Sequence, residues 1–283
     1  MRFRTEIERP APGLKIDHST PLLFLGSCFA DEIGGRLEND GFNVLRNPLG
    51  PLYNPATICT CLERATGKPY NAADLTPGPR GFHCLDYASR YSGPDADAIL
   101  NSVNDELNSI RGFLALRPVA FITLGSAFVY RHLERNMIVG NCHKLPDSTF
   151  ERRMLDVDTV KKYLGRIQSV LETNGAAHVV FTVSPIRHLA YGLHGNAVSK
   201  STLLVAVDQH LSGTAGGYFP AYEIMLDDLR DYRFYAPDMK HPSDVAADYI
   251  YEIFSETYFA CGTAEAALKA RKARLASLHR PIL

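Results

Sequence analysis

Apolar residues fall into two rhythms along this chain. Unbroken runs at Leu22-Leu23-Phe24-Leu25, Val119 to Leu124 and His178 to Val183 read as strands buried on both faces, as in a parallel sheet. Phe42 to Leu45 adds a shorter strand, and Tyr218 to Met225 predicts a fifth that Pro220 confines to an edge or bulge. Helical spacing alternates with these runs, first through Phe29, Ile33 and Leu37, then over 55–65 behind the cap Asn54 and Pro55. It returns over 94–116, 156–173, 199–211, 244–259 and 263–278. Strand and helix in alternation predict an open α/β sheet whose strand ends line a crevice.

Two segments leave that rhythm. Residues 68–93 predict a two-stranded excursion that rims the crevice. Residues 127–144, broken at Glu134-Arg135-Asn136, predict a hairpin that returns Asn141-Cys142-His143-Lys144 to the ligand side. The loop 46–55, stiffened by Pro48, Pro51 and Pro55, faces the same side. Residues 1–21 read as an arm crossing the surface.

Composition narrows the function more than the fold. With 283 residues, 46% of them apolar, the chain can bury a substantial core, and 1–283 reads as a single domain. Thirty basic against 31 acidic side chains leave a formal charge of −1, which argues against nucleic acid and points to a small-molecule substrate. The N-terminus lacks the apolar core of a signal peptide, and no apolar run approaches the roughly 20 residues of a membrane span. A soluble, cytoplasmic protein is the expectation. The last helix, rich in Ala, Lys and Arg, reads as a surface or interface element, which leaves room for a homo-oligomer.

The cysteines show no zinc spacing: Cys59-Thr60-Cys61 has no second pair. Glu223, Asp227, Asp228 and Asp231 are interleaved with Arg230 and Arg233 as on a solvated face, so no metal is expected. No cofactor is required.

Candidate chemistry begins at Ser27, which follows the first strand and Gly26 and precedes a helix with Asp31 and Glu32 in its first turn. Serine there is a good helix cap, and it is also a hydroxyl aimed at the crevice beside free helix N–H groups. Cys28, the stronger intrinsic nucleophile, is its rival; direction favours Ser27, because the next side chain should turn away into the helix packing. Asp238-Met239-Lys240-His241-Pro242 places a carboxylate three residues before an imidazole, so one short turn can hold a general base and the acid that orients it. Val119 to Ser126 repeats the first strand's ending in Gly-Ser and predicts a neighbouring strand. His143 and Lys144 are candidates for a substrate carboxylate or phosphate, with a hydrogen-bonded loop histidine as the alternative. Arg187-His188 could line the pocket or a solvated loop.

Gly26-Ser27-Cys28-Phe29-Ala30, Asn141 to Lys144, Thr182 to Pro185, Ser199 to Ser201, Tyr222 to Met225 and Asp231 to Ser243 together resemble the signatures of the GSCFA family, across about residues 22–259. That family is grouped with the SGNH, or GDSL-like, hydrolases. The resemblance implies a flavodoxin-like three-layer αβα sandwich with a five-stranded parallel sheet, and ester or acyl chemistry. It implies Ser27 as nucleophile, His241 as base and Asp238 as its partner. Gly50 takes the place of the superfamily's oxyanion glycine. The superfamily's asparagine is missing after Gly125, so Asn141 is the substitute, with Ser126 second. The expected substrate is a small ester, such as an acylated carbohydrate. Rival readings are an acyltransferase using the same acyl-enzyme and a catalytically inactive binding module of the same fold.

Overall fold

Side chains on the central strands alternate between two apolar cores. Leu23 and Leu25 of the first strand enter one core while Leu22 and Phe24 enter the other. Ala120, Ile122 and Leu124 divide from Val119 and Phe121 in the same way. Burial on both faces is what an unbroken apolar run requires, and it fixes the layer order: helices, sheet, helices.

The computed structural model describes residues 5–8 and 13–278. Five strands, β1 (Leu22–Gly26), β2 (Val44–Arg46), β3 (Val119–Leu124), β4 (His178–Val183) and β5 (Gly217–Tyr218), pair in parallel in the order β5-β4-β3-β1-β2. This is the expected α/β architecture, consistent with a flavodoxin-like three-layer sandwich. The chain runs outward from β1 to β2, then crosses back and runs the other way from β3, so the switch in strand order lies between β1 and β3. Ligands of open α/β sheets bind outside the strand ends at such a point, where Ser27 and Gly125 stand side by side.

Helices α2 (Pro55–Thr66), α3 (Ala96–Leu114), α4 (Val157–Thr173) and α5 (Gly192–Leu211) cover one face. Helices α1 (Cys28–Asn39), α6 (Asp244–Tyr258) and α7 (Thr263–Leu278) cover the other. Asn54 caps α2 by accepting from Thr57 N–H at 3.0 Å, with Pro55 in its first turn as the sequence suggests. The last helix is partly built into the molecule: Ala267 is buried, and Arg271 reaches the buried carboxylate of Asp40 at 2.6 Å, which also accepts from Tyr251 at 2.7 Å. None of the described helices is long and apolar enough to cross a membrane.

Three expectations change. Residues 219–229 do not extend the fifth strand: only Gly217–Tyr218 pair with β4, and Ala221–Glu223 and Ile224–Leu229 are helical turns. Pro220 lacks the N–H to continue the ladder, and helical spacing buries Met225 and Leu229 in one cluster, which an extended segment would not do. Both excursions carry three strands instead of two, Thr76–Gly78 with Gly81–His83 and Ser92–Gly93, and Phe128–His132 with Met137–Val139 and Phe150–Met154. Phe150–Met154 lies on an outer edge with Glu151, Arg152 and Arg153 in solvent, so it carries no apolar alternation for a pattern to detect. Helix α5 begins at Gly192, ahead of the expected Ser199.

The arm is anchored where it is described. Ile16 is buried, its N–H donating to Tyr258 O at 2.8 Å and its carbonyl accepting from Ala260 N–H at 2.9 Å. Residues 1–4 and Pro10 and Pro12, on which the readings of the arm and of the N-terminus partly rest, lie outside the described residues.

At the end of β1, Gly26 has φ +133°, and a Cβ there would stand 2.0 Å from the Thr123 carbonyl oxygen of β3. Any side chain must therefore push β1 and β3 apart at the switch point. Gly26→Ala is expected to cost at least about 3 kcal/mol, at the upper end of single-substitution effects, measured as a fall in the urea unfolding midpoint at unchanged slope.

Candidate active site at the ends of β1 and β3

Ser27 is the cap of α1. Its backbone is extended (φ −67°, ψ 172°), its Oγ accepts from Phe29 N–H at 3.3 Å, and it is 1% exposed. The cap reading of this residue holds: the helix fixes the hydroxyl at its positive end. Asn47 holds the turn from outside. Its Oδ1 accepts from Gly26 N–H at 2.9 Å, and its Nδ2 donates to Asp31 Oδ2 at 2.9 Å and to the Ser27 carbonyl at 3.4 Å. Burial raises the Asp31 carboxyl against the Asn47 and Arg46 contacts that lower it.

Across the switch point, the N–H groups of Gly125 and Ser126 donate to the Tyr53 carbonyl at 2.8 and 2.7 Å. Gly125 is closely packed there: a methyl group on it would lie 3.0 Å from that carbonyl oxygen, 3.2 Å from Ser27 Cβ and 3.4 Å from His188 Nε2, so glycine is what lets these groups approach. Lys200 lies beneath. Though 1% exposed, its Nζ donates to the carbonyls of Gly125 (2.7 Å) and Ser184 (2.6 Å), tying the ends of β3 and β4 together. Burial pushes this ammonium down to about 7.

The D-x-x-H turn brings the imidazole and the carboxylate into contact. His241 Nδ1 is 2.6 Å from Asp238 Oδ2, while Asp238 Oδ1 accepts the N–H groups of Lys240 and His241 at 2.9 and 3.0 Å. The His241 bond and the two backbone bonds hold the Asp238 carboxyl far below the usual carboxylate range. Met239 takes the left-handed conformation (φ 57°) that closes the turn. The pair is open to solvent, with side-chain exposures of 47% for His241 and 43% for Asp238. Arg187 N–H donates to Lys240 O at 3.0 Å, docking this turn on the loop after β4. His241 makes no hydrogen bond to Ser27.

The other expected residues divide. Ser27 N–H already donates to Thr123 O at 3.0 Å and Gly50 N–H to Asn47 O at 2.8 Å, so both backbone donors expected at an oxyanion are engaged by carbonyls. Asn141 belongs to the excursion: its Nδ2 donates to Ser89 Oγ at 3.3 Å and its Oδ1 accepts from His143 N–H at 2.7 Å. His143 is the hydrogen-bonded loop histidine, buried with Nε2 at 2.8 Å from Cys84 O, and burial lowers its pKa. Lys144 beside it is exposed. Ser126 is buried, its Oγ accepting from Phe128 N–H at 3.0 Å and lying 3.2 Å from Ser199 Oγ. Arg187 lies over the rings of Tyr232 and Tyr235 at 5.5 and 5.0 Å. Cys28 is not packed away as expected: it is half-buried, with Sγ 3.4 Å from the Tyr53 hydroxyl. Among the described residues no three His, Cys, Asp or Glu side chains are placed to hold a metal ion.

Asn47 and Lys200 are structural partners of the site that motif reading overlooks. Lys200 did leave a trace, since it shares the buried face of α5 with Asn196, Leu203 and Val207, where a lysine is out of place. Asn47 left none.

Compared with known families, the chain matches the model of the GSCFA family over residues 21–254. No curated protein and no solved structure matches it.

Asn47→Ala strands the buried N–H of Gly26 and is expected to cost about 1–3 kcal/mol in urea unfolding. Lys200 sets a pH dependence. Between about pH 7 and the ordinary lysine range the unfolded chain holds a proton that folded Lys200 has released, so its contribution makes stability rise with pH across that window. Below pH 7 both states are protonated and the dependence ends. Lys200→Met is expected to flatten that rise relative to the parent protein in urea titrations at pH 7 and 9, whatever it does to stability itself.

Proposed function

From the premise that this chain belongs to the GSCFA family, we propose that it is a serine esterase of the SGNH type, acting through an acyl-enzyme on a small ester, with an acylated carbohydrate as the preferred class. The observation that carries this reading is the His241–Asp238 pair, whose turn is docked on the loop after β4 while Ser27 caps α1 at the switch point. In the proposed reaction Ser27 Oγ bonds to the ester carbonyl carbon as its proton passes to His241 Nε2. The carbonyl π pair moves to oxygen. On collapse the alcohol leaves and takes the proton from His241, and water then repeats the sequence to release the acid and free Ser27. Asp238 stays ionised, fixing the Nδ1–H tautomer and stabilising the imidazolium.

The reading requires the exposed 238–241 turn to move towards Ser27 when substrate binds, as catalytic hydrogen bonds are often long until then. The exposed rings of Tyr53 and Tyr232 offer flat apolar surfaces to an acyl group or a sugar ring. Burial of Ser27 favours a second reading, an acyltransferase in which a substrate hydroxyl replaces water in deacylation.

The test is hydrolysis of acetyl and butyryl aryl esters and of acetylated sugars by purified protein, with and without an added sugar acceptor. Ser27→Ala is expected to abolish turnover and fluorophosphonate labelling. Asp238→Asn should lower kcat by about 10⁴-fold. Because Cys28 stands half-exposed next to Ser27, the decisive pair is Cys28→Ala, which should retain activity, and Ser27→Ala; activity that survives Ser27→Ala and is lost in Cys28→Ala overturns the serine assignment.

A further inference from the structure

Arg187 carries a charge that has no acid partner among the described residues. Its guanidinium lies over the rings of Tyr232 and Tyr235 at 5.5 and 5.0 Å and makes no hydrogen bond or ion pair there. Two carboxylates of the neighbouring segment are engaged elsewhere. Asp231 holds Arg233 through both oxygens, at 3.1 Å each, and Asp238 accepts from His241 and from two backbone N–H groups. The cluster is open to solvent, with Arg187 half-buried and Tyr232 64% exposed. A guanidinium laid over aromatic rings is held by its face, which leaves its N–H edge for an outside partner; that edge matches the two oxygens of a carboxylate or phosphate.

The backbone ties this charge to the site. Arg187 N–H donates to Lys240 O at 3.0 Å, in the turn that carries His241, and Tyr235 is bridged to Pro242 at the end of the same turn. The next residue, His188, packs with Ser27 around Gly125. Arg187 therefore stands at the rim between the base and the end of β1. His143, expected from the sequence as an anion contact, is instead buried and bonded to Cys84 O.

We infer that Arg187 is a specificity-determining residue of the proposed esterase, binding a carboxylate or phosphate on the alcohol half of the ester. The inference rests on the Ser27 acyl-enzyme reading and narrows its substrate to an acylated alcohol that carries an anion, such as an acylated sugar acid or sugar phosphate. The alcohol half follows from the direction of proton transfer. The leaving oxygen takes its proton from His241, so the alcohol lies against the turn that Arg187 holds through Lys240. The two rings restrict the guanidinium before substrate arrives, which lowers the entropy lost on binding, and the exposed Tyr232 ring offers a sugar its flat face. No bond to Arg187 is made or broken. The anion is present before and after attack on the carbonyl, so the contact favours substrate and transition state alike, and its loss falls on KM.

The experiment measures hydrolysis of 4-acetoxybenzoate, 4-acetoxyphenyl phosphate, the neutral methyl 4-acetoxybenzoate, and phenyl hydrogen adipate, whose carboxylate is on the acyl half. The proteins are the parent, Arg187→Gln, Arg187→Lys and Ser27→Ala, with thermal unfolding as the folding control. The parent is expected to prefer the two anionic acetates to the methyl ester. Arg187→Gln should raise KM for an anionic acetate, relative to the methyl ester, by roughly 10- to 100-fold, the effect of losing a charged hydrogen-bonding partner, with kcat little changed. Arg187→Lys, which keeps the charge without the fork, should recover part of the preference. The anionic acetate that loses more identifies the group the edge fits. Equal losses on the anionic and methyl esters in folded Arg187→Gln overturn the inference, since a guanidinium that only braces the turn would affect both alike. A preference for phenyl hydrogen adipate that depends on Arg187, with none for the anionic acetates, overturns it as well. In both cases a parent protein active on the methyl ester, with Ser27→Ala dead, leaves the esterase reading standing. If the parent hydrolyses none of the four, that reading falls and the role of Arg187 falls with it.

Discussion

The site depends on how closely β1 and β3 approach at their carboxyl ends. Gly26 pairs with Thr123 so tightly that a Cβ would overlap the Thr123 carbonyl, and the next N–H, that of Ser27, donates to the same oxygen. The ladder therefore continues through the turn and ends in the first residue of the helix cap. A turn formed in this way has almost no freedom: the strand fixes the position of Ser27, and the Phe29 N–H fixes its Oγ. Gly26 N–H, which has left the ladder, would be stranded in the interior without the Asn47 carboxamide. One glycine, one asparagine and one strand register thus place the hydroxyl.

The second strand end is held by a different device. Lys200 brings an ammonium group into the interior with no carboxylate bonded to it, and two carbonyls at the ends of β3 and β4 compensate its lost hydration. Carbonyls at strand ends have lost their ladder partners, so the lysine and the orphaned acceptors satisfy one another. A neutral side chain of the same length could fill the space but could not bridge both acceptors.

Period and composition made most of the sandwich legible. The three long strand runs and the helices with apolar stripes stand where spacing puts them, because burial on both faces or on one stripe leaves a direct trace in the sequence. The failures have a common cause. Tyr218 to Met225 reads as a strand on its aromatic residues and Ile224, but what its helical turns pack against is α6, distant in sequence. Phe150–Met154 pairs through its backbone at an exposed edge and leaves no apolar signature. In the site, the Asp238–His241 contact was readable because both residues lie in one turn. Asn47, Gly125, His188 and Lys200 come from four separate segments, and what joins them is hydrogen bonding and close packing, neither of which has a period. Asn141 was misplaced for the same reason, since the hairpin that carries it folds onto the Leu85–Ser89 segment.

The two halves of the proposed machinery differ in rigidity. Ser27 is buried and bonded on every side, whereas His241 and Asp238 are half-exposed on a turn closed by a left-handed Met239 and moored to the body through Arg187 N–H and the Tyr235–Pro242 bridge. Within the turn the geometry is firm, because Asp238 accepts three hydrogen bonds and holds the imidazole at a fixed angle to its own backbone. The turn can then move as a unit without disturbing the relay. Its mooring, Arg187, belongs to the loop after β4, so the turn that carries His241 is tied to the end of a central strand. In the proposed reaction the approach of base to hydroxyl would then be made by this turn, with the nucleophile as the part that does not move.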